Sequence, residues 1–591
     1  MWGGSDDVEA IKTIRTALDL DITLIDTAPA YGFGRSQELA IPVPQIILRS
    51  ITVAALRFGR LTFDFETSPL AAQMAQSPRT RRKTGPGGTG CSFREADMAF
   101  FSPALLLRGL GLAAVVRVAL VLASSIFSVS LAGAQPGQPA SEPTRPAYQI
   151  GSAGRFNEDW SVLRGVDLDH TDDVWDRLKF IPLSPDGNVW LTIGGQARER
   201  GEYFRQFQFG NSEPEQSDGY LLSRYRLSAD LHVTRYFRMF AEGRSAFALD
   251  RDLVGGRTTS FVDELDLMNG FADVMIPLGQ QASVTLRGGR QELIFGSQRL
   301  VGPGDFSQVP RAFDGGAAIG QVAGWTITPF WTQSVVIDKY RFNTSTSDLE
   351  FYGVFATGPL HVLPVNLDLY WLDANNRTAA FNGTPGREHR HTLGGRVSGK
   401  IGATGLDFEV EGAAQFGTVG RGDIAASMFT TVLGYTLPVP RFSPRVYVDF
   451  DYASGDDRPG GNVGTFNPLY PNNHSFLGYI DYIGRQNIVS PNAGVSISPI
   501  DGLTLSLQQY FFWRASDRDA LYNKSGAVLR PGTSTTARYV GAETDAYAIY
   551  DFTRHLLGYA GYSRFFTGDF IRKTGKDKDS DFYYAALQYT F

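Results

Sequence analysis

The sequence predicts an all-β fold: a transmembrane antiparallel β-barrel of about 18 strands, preceded by an internal signal peptide and an irregular N-terminal extension. Three observations carry this expectation. Polar and apolar residues alternate with period two from Trp190 to Phe591; the segments so marked are separated alternately by short turns and by long Gly/Asn/Asp/Ser-rich loops; and an export signal stands upstream of them. Composition agrees, because 13% aromatic residues and 65 glycines favour sheet over helix. A formal net charge of −6 argues against a general nucleic-acid binder and says little about local fields.

The export signal begins at Met98. Arg108 lies in its basic flank, an apolar stretch runs to Leu131, and Ala132, Gly133 and Ala134 supply small residues for cleavage after Ala134. Arg117 interrupts the stretch, and the apolar run is long for a signal core, so a membrane helix competes with this reading. The Pro/Gly/Ser-rich QPGQPASEPTRP that follows favours export and processing.

Residues 1–97 precede the signal. Their DTAPAYG stretch, with Asp26 and Tyr31, resembles an early β/α segment of the aldo/keto reductases, and the resemblance would give both residues catalytic roles. The family's catalytic Lys and His are missing, and a fragment of about 35 residues cannot close a (β/α)₈ barrel that takes about 250. We therefore read residues 1–97 as an artefact of the gene start or of fusion, disordered or poorly packed, and we expect no enzyme. The single cysteine, Cys91, also precedes the signal, so the mature chain would hold no disulfide or thiolate site.

Residues 135–189 read as a periplasmic linker and N-terminal segment, Pro-rich to Ala147 and then mixed and aromatic. The barrel is expected over residues 190–591. In its first segment Leu191, Ile193, Ala197 and Tyr203 stand opposite Thr192, Gln196, Arg198, Arg200 and Glu202. In the next, Leu221, Tyr225, Leu227 and Leu231 oppose Leu222, Arg224, Arg226 and Asp230. Asp407, Glu409 and Glu411 alternate with Phe408 and Val410, and Asp449 and Asp451 with Val448 and Phe450. The final DFYYAALQYTF puts Tyr583, Ala585, Leu587, Tyr589 and Phe591 on one face, as in the closing strand of outer-membrane barrels. Lipid demands closure, because an open edge would leave backbone N–H and C=O groups unsatisfied in hydrocarbon. At ~10 residues per strand with alternating connections, on the order of 16 to 18 strands fit, an even number, around an aqueous lumen.

Several motifs then point to one family. LRGGRQELIFGSQRLVG (Leu286 to Gly302), RAFDG (Arg311 to Gly315), HTLGGR (His391 to Arg396), the long stretch from Asp451 to Ile488, and GYSRFFTGDFI (Gly561 to Ile571) occur in order, with WDRLKFIPL before the first strand. Together, over residues 156–591, they resemble the alginate-export porins. The resemblance implies an 18-stranded barrel of the bacterial outer membrane that passes a polysaccharide through an arginine-rich lumen, in contact with lipid and with periplasmic export components.

The candidate residues for such a path are Arg198, Arg200, Arg224, Arg226, Arg244 and Arg290, whose planar forks match a uronate carboxylate. The bland alternative is that they pair with the lumen acids Glu202, Glu242, Asp407, Glu409, Glu411, Glu543 and Asp545 and brace the wall. That many acids temper an alginate assignment. Asp449, Asp451, Asp456 and Asp457 are a weak Ca²⁺ candidate; Ala453 and Ser454 break the EF-hand spacing, so a solvated strand end is preferred and no metal site is expected. His391 and His474 read as single histidines in loop or lumen hydrogen bonds, and Trp325, Trp331, Trp371 and Trp513 as girdle or wall packing. No GxSxG, HExxH, P-loop or dinucleotide fingerprint occurs in the barrel, and no cofactor is expected. The function expected is a channel for an acidic polysaccharide or oligosaccharide. The alternatives are an uptake porin for small polar solutes and, from another class, a surface-binding barrel or a barrel-resident hydrolase.

Overall fold

The computed structural model describes residues 154–591 apart from 212–215, 361–362, 440 and 533–534. The expectations for residues 1–97, the signal peptide at 98–134, Cys91 and the start of the linker lie outside the described residues.

Eighteen antiparallel strands form one closed sheet. They are β1 (Val189–Arg205), β2 (Asp218–Val233), β3 (Phe237–Leu249), β4 (Asp263–Pro277), β5 (Ala282–Gln291), β6 (Phe313–Val322), β7 (Trp325–Val336), β8 (Thr344–Leu360), β9 (Val365–Phe381), β10 (Thr384–Lys400), β11 (Leu406–Val419), β12 (Gly422–Thr436), β13 (Arg445–Ala453), β14 (Ile488–Ile500), β15 (Leu503–Trp513), β16 (Tyr539–Asp551), β17 (Leu556–Thr567) and β18 (Ser580–Thr590). Each pairs with its neighbour in the chain, and β18 returns to pair with β1 from Gln196↔Thr590 to Arg205↔Asp581. Among the described residues the ring of eighteen is closed, which is the condition for spanning hydrocarbon, and the two-residue strand Ile181–Pro182 only adds to the start of β1.

Burial shows which way each face points. Along β2 the charged Arg224 is fully buried while Leu227 is 62% exposed. A soluble protein would show the reverse, whereas a lipid-facing wall around a filled interior puts charges inside and leucines out. The outward face carries all four expected tryptophans: Trp331 and Trp371 are exposed, and Trp325 and Trp513 are half-buried on the same parity as exposed Ile327 and Phe511. At one end the strands join through tight turns such as 323–324 and 501–502, where Gly324 (φ +83°) and Gly502 (φ +77°) take the left-handed conformation. At the other end most connections are longer, notably 292–312, 454–487 and 514–538, although β9–β10 and β11–β12 join there through two residues each. In barrels of this kind the long loops lie outside the cell.

Glycine also shapes the inner wall. Tyr370 lies over Gly394, Tyr447 over Gly494 and Tyr584 over Gly561, each ring filling the place where a Cβ on the next strand would stand. Tyrosines laid flat along the wall keep their bulk out of the passage.

Residues 154–182 are not separate from the barrel: Arg155 donates to the carbonyls of Gly195 (2.6 Å) and Phe591 (2.7 Å), and Phe156 packs edge-on against Phe240 and Phe271. The segment carries its own apolar residues, and Trp160, Leu163 and Phe180 pack with Trp190 on β1 beside the partly buried Leu168. Nor is the lumen wholly aqueous. The long loops fold inward, and Phe466, Leu477, Ile480, Tyr482 and Ile483 from 454–487 pack with Phe512, Phe565 and Phe582 of the wall. The FNPLYP and SFLGYIDYI stretches are too apolar to remain in water, so they fill the outer half of the barrel.

Candidate functional site

The site lies at mid-barrel, where wall and loops meet. Period two sends Arg198 and Arg200 of β1, Arg224 and Arg226 of β2, and Arg244 of β3 inward; the register places Arg198 opposite Arg224, and Arg226 opposite Arg244. Five guanidiniums on three adjacent strands therefore form one basic wall, each at most 5% exposed. Around the ring, Asp368 of β9, Glu409 and Glu411 of β11, and Asp449 and Asp451 of β13 form an acidic wall.

The loop at 292–312 is strung between the two. At one point Asp305 meets the basic wall: its carboxylate lies 2.7 Å from Arg226 and 3.2 Å from Arg224, and its carbonyl accepts from Arg198 and Arg224 at 3.0 Å each. Arg200 stacks over the neighbouring Phe306 ring at 4.0 Å while pairing with Glu202 at 2.8 Å. Six residues earlier, Arg299 reaches the acidic wall at Glu409 (3.0 Å) and Asp451 (3.4 Å), with Glu411 and Asp449 just beyond. The segment is thus a strap with a negative end on the positive wall and a positive end on the negative wall. A full reversal of either anchor would set like charges together in a low-dielectric space. Burial opposes ionisation of Asp305, but Arg224, Arg226 and Arg198 outweigh it and hold its carboxyl well below the usual carboxylate range.

The second loop, 454–487, backs the strap. Val301 and Tyr470 form a parallel bridge, and Arg311 donates to the carbonyls of Gly302 and Pro471 at 2.9 Å. This loop is tied to the wall in turn: Arg485 pairs with Asp451, Glu543 accepts from the Ile480 N–H at 2.8 Å, and Asp545 from that of Tyr479 at 3.1 Å. The remaining named acids also have partners. Glu242 lies 4.0 Å from Arg226, and Arg445 holds Asp407 at 2.6 Å.

One residue is misplaced by the sequence reading. Arg290 shares its parity on β5 with the exposed Leu286, so it faces outward, where it pairs with Asp314 (2.7 Å) and Asp266 (3.3 Å). The inward arginine of this strand is Arg287, which lies 3.8 Å over the Phe271 ring and pairs with Asp273. The strand end at Asp449 and Asp451 is not solvated, because loop 454–487 covers it and Asp451 is fully buried. Asp456 accepts from the Arg458 N–H and Asp457 from Ser516, whereas Asp449 and Asp451 lie against Arg299. His474 makes a loop hydrogen bond with Asp481 (3.1 Å), as expected, but His391 is not single: His389 stands two residues away and Asp373 lies across the strand pair.

Sequence reasoning missed Asp305, Arg299 and Arg485 altogether. They sit in loops, where no alternation assigns a side. The only signal was opposite charge at Arg299 and Asp305 flanking the VGPG turn residues, in a connection too long for a turn.

Comparison with known proteins places these features in context. The Alginate export family matches residues 189–584. Among solved structures, Pseudomonas aeruginosa OpdO is similar at 13% identity and a TM-score of 0.45, covering 68% of this chain and 97% of that one. Acinetobacter baumannii OccAB2 gives 12% and 0.44 over 68% and 98%, and P. aeruginosa OccK2 (OpdF), solved in complex with glucuronate, gives 12% and 0.44 over 70% and 98%. Separately, 39 residues, 7% of this chain, are 69% identical to the aldo-keto reductase YhdN of Bacillus subtilis, and the match spans only 12% of that relative's length.

Proposed function

The chain belongs to the alginate-export family of outer-membrane barrels, and on that premise we propose that it passes an acidic polysaccharide, or oligosaccharides cut from one, along the arginine wall. The observation that carries the reading is the five inward guanidiniums on β1 to β3. A guanidinium offers a charge that persists at any physiological pH and a planar fork for two parallel hydrogen bonds to a carboxylate. Passage also requires release, so no single site should bind tightly. Asp305 already occupies this wall as an internal carboxylate. A uronate arriving there competes with Asp305 for Arg224 and Arg226, and each exchange loosens the strap that narrows the path. Cargo and gate would thus share one set of donors, and the protein would act as a channel and not as an enzyme.

The strap and the apolar filling of the outer half favour a second reading, a selective porin for small anionic or polar solutes that slip past the loops. Conductance in a planar bilayer separates the two. With purified protein, block by long alginate oligomers but not by neutral glycans of equal length supports polymer passage. Block by monomeric uronate alone supports the porin. Absence of any channel, even after deletion within 292–312, removes the basis of both.

A further inference from the structure

The outward face holds a cluster that transport does not use. On β10 His389 and His391 stand two residues apart and so project from the same face, and on β9 Asp373 lies opposite His391 in register. Their donor atoms all lie within 4.8 Å of one another. His389 Nε2 is 3.2 Å from Asp373 Oδ2, and His391 Nδ1 lies against the same oxygen. Neither Asp373 Oδ2 nor His391 Nδ1 makes a hydrogen bond of acceptable geometry among the described residues, although both are buried. The other carboxylate oxygen accepts from Asn375 at 2.9 Å, and Asn375 also reaches the Tyr352 hydroxyl.

The contacts lack hydrogen-bond geometry, whereas two imidazole nitrogens and a carboxylate oxygen within 4.8 Å of one another make a ligand set. With metal–donor bonds of ~2.0–2.1 Å, a tetrahedral site has donor–donor edges of about 3.3 Å. Asn375 supplies the outer contact that fixes a ligating carboxylate. Asp373 is fully buried, and an ionisable group placed so on a lipid-side wall needs a partner of opposite charge. Three protein donors leave one position of a tetrahedral site open, and the cluster reaches solvent at His389, 46% exposed.

The position along the wall is equally specific. Outward residues of β9 run Leu369 (50% exposed), Trp371 (38%), Asp373, Asn375 and Arg377, so the apolar band ends between Trp371 and Asp373. Trp371 and Phe416 flank the His391 ring at 6.0 and 5.1 Å. Beyond lies the exposed Arg377–Asp348 pair. We propose that Asp373, His389 and His391 form a site for a first-row transition-metal dication such as Zn²⁺, set at the aromatic rim on the long-loop side with its fourth position open to the aqueous interface. Two nitrogens and one oxygen suit this class of ion over Ca²⁺ or Mg²⁺, which take oxygen donors.

The test uses the full-length protein in detergent micelles, with heat-modifiable migration as the check on folding. Titration with Co²⁺ should give the visible absorption of a four-coordinate ion at one equivalent per chain, displaced by Zn²⁺. The double variant His389→Ala with His391→Ala should lose the signal, and Asn375→Ala should weaken binding about 10–100-fold. His474→Ala, in a loop remote from the cluster, should bind as the parent does. Because His389 is nearly half exposed, His389→Gln leaves the wall intact and must still weaken binding. Absence of a stoichiometric signal in the parent, or unchanged binding in folded His389→Gln, overturns the proposal.

Discussion

Replacing Asp305 by Asn isolates one anchor of the strap with no loss of side-chain volume. Asp305 is 6% exposed and its carboxylate touches both Arg224 and Arg226. Deleting one member of a buried ion pair costs about 3–5 kcal/mol, because the remaining charge stays desolvated without its partner. The amide still accepts hydrogen bonds, so the lower end applies, and at 1.4 kcal/mol per decade the closed strap should become about 100-fold less populated relative to the open one. The backbone bonds from Arg198 and Arg224 to the Asp305 carbonyl survive, so the loop loosens and the barrel stays folded. Single-channel recording should show higher mean conductance and, with one negative charge gone from the basic wall, a shift toward anions. Arg299→Gln supplies the matched experiment, since it frees the other anchor and leaves Glu409 to Arg396 and Asp451 to Arg485. It should also raise conductance but move selectivity toward cations. If both folded variants conduct like the parent, or if both shift selectivity in the same direction, the loop is not strung between opposed walls.

Further outcomes follow from the same contacts. Arg224→Ala with Arg226→Ala should reduce anion selectivity; unchanged selectivity would assign these residues to wall bracing alone. The pH response has a definite sign. The folded carboxyl of Asp305 titrates below its unfolded value of 3.8, so its stabilisation is complete above that value and is lost only as pH falls below it. Conductance should therefore be flat in pH from 8 to 5 as far as this anchor is concerned, and a rise within that range would point to another group. Arg155→Ala removes two short bonds to backbone carbonyls, each worth about 1.5–3 kcal/mol for a charged donor. Limited proteolysis should then cut residues 154–182 at least 100-fold faster with the barrel intact, and an unchanged rate would show that Phe156 and Trp160 hold the segment alone.

What the sequence revealed and what it hid divide along the reach of period two. On β1, β2, β3 and β11 the alternation is regular, and the inward sides of Arg198, Arg200, Arg224, Arg226, Arg244, Glu409 and Glu411 can be read from their apolar neighbours. The side of Arg290 is legible in the same way, because Leu286 fixes the parity of β5. The inward course of 292–312 and 454–487 has no such code. A loop folds where its apolar residues find cover, and the cover for Phe466 or Ile480 comes from strands far away in sequence. The strap's anchors therefore emerge only with the assembled ring. His389 and His391 mark the opposite case: an HxH step on a strand puts two imidazoles on one face, a signal present in the sequence itself.

The seam between β1 and β18 bears on how the molecule is made. It joins Gln196 to Thr590, positions about 400 apart in the chain, so the last pairing to form is also the one with the longest loop to close. Before it forms, both terminal strands offer a row of free donors and acceptors, a template on which another copy could add its own strand. In hydrocarbon each such group costs several kcal/mol, so a half-zipped ring has no resting place within the bilayer. Sealing of the β1–β18 seam within one chain therefore competes with edge-to-edge association between chains.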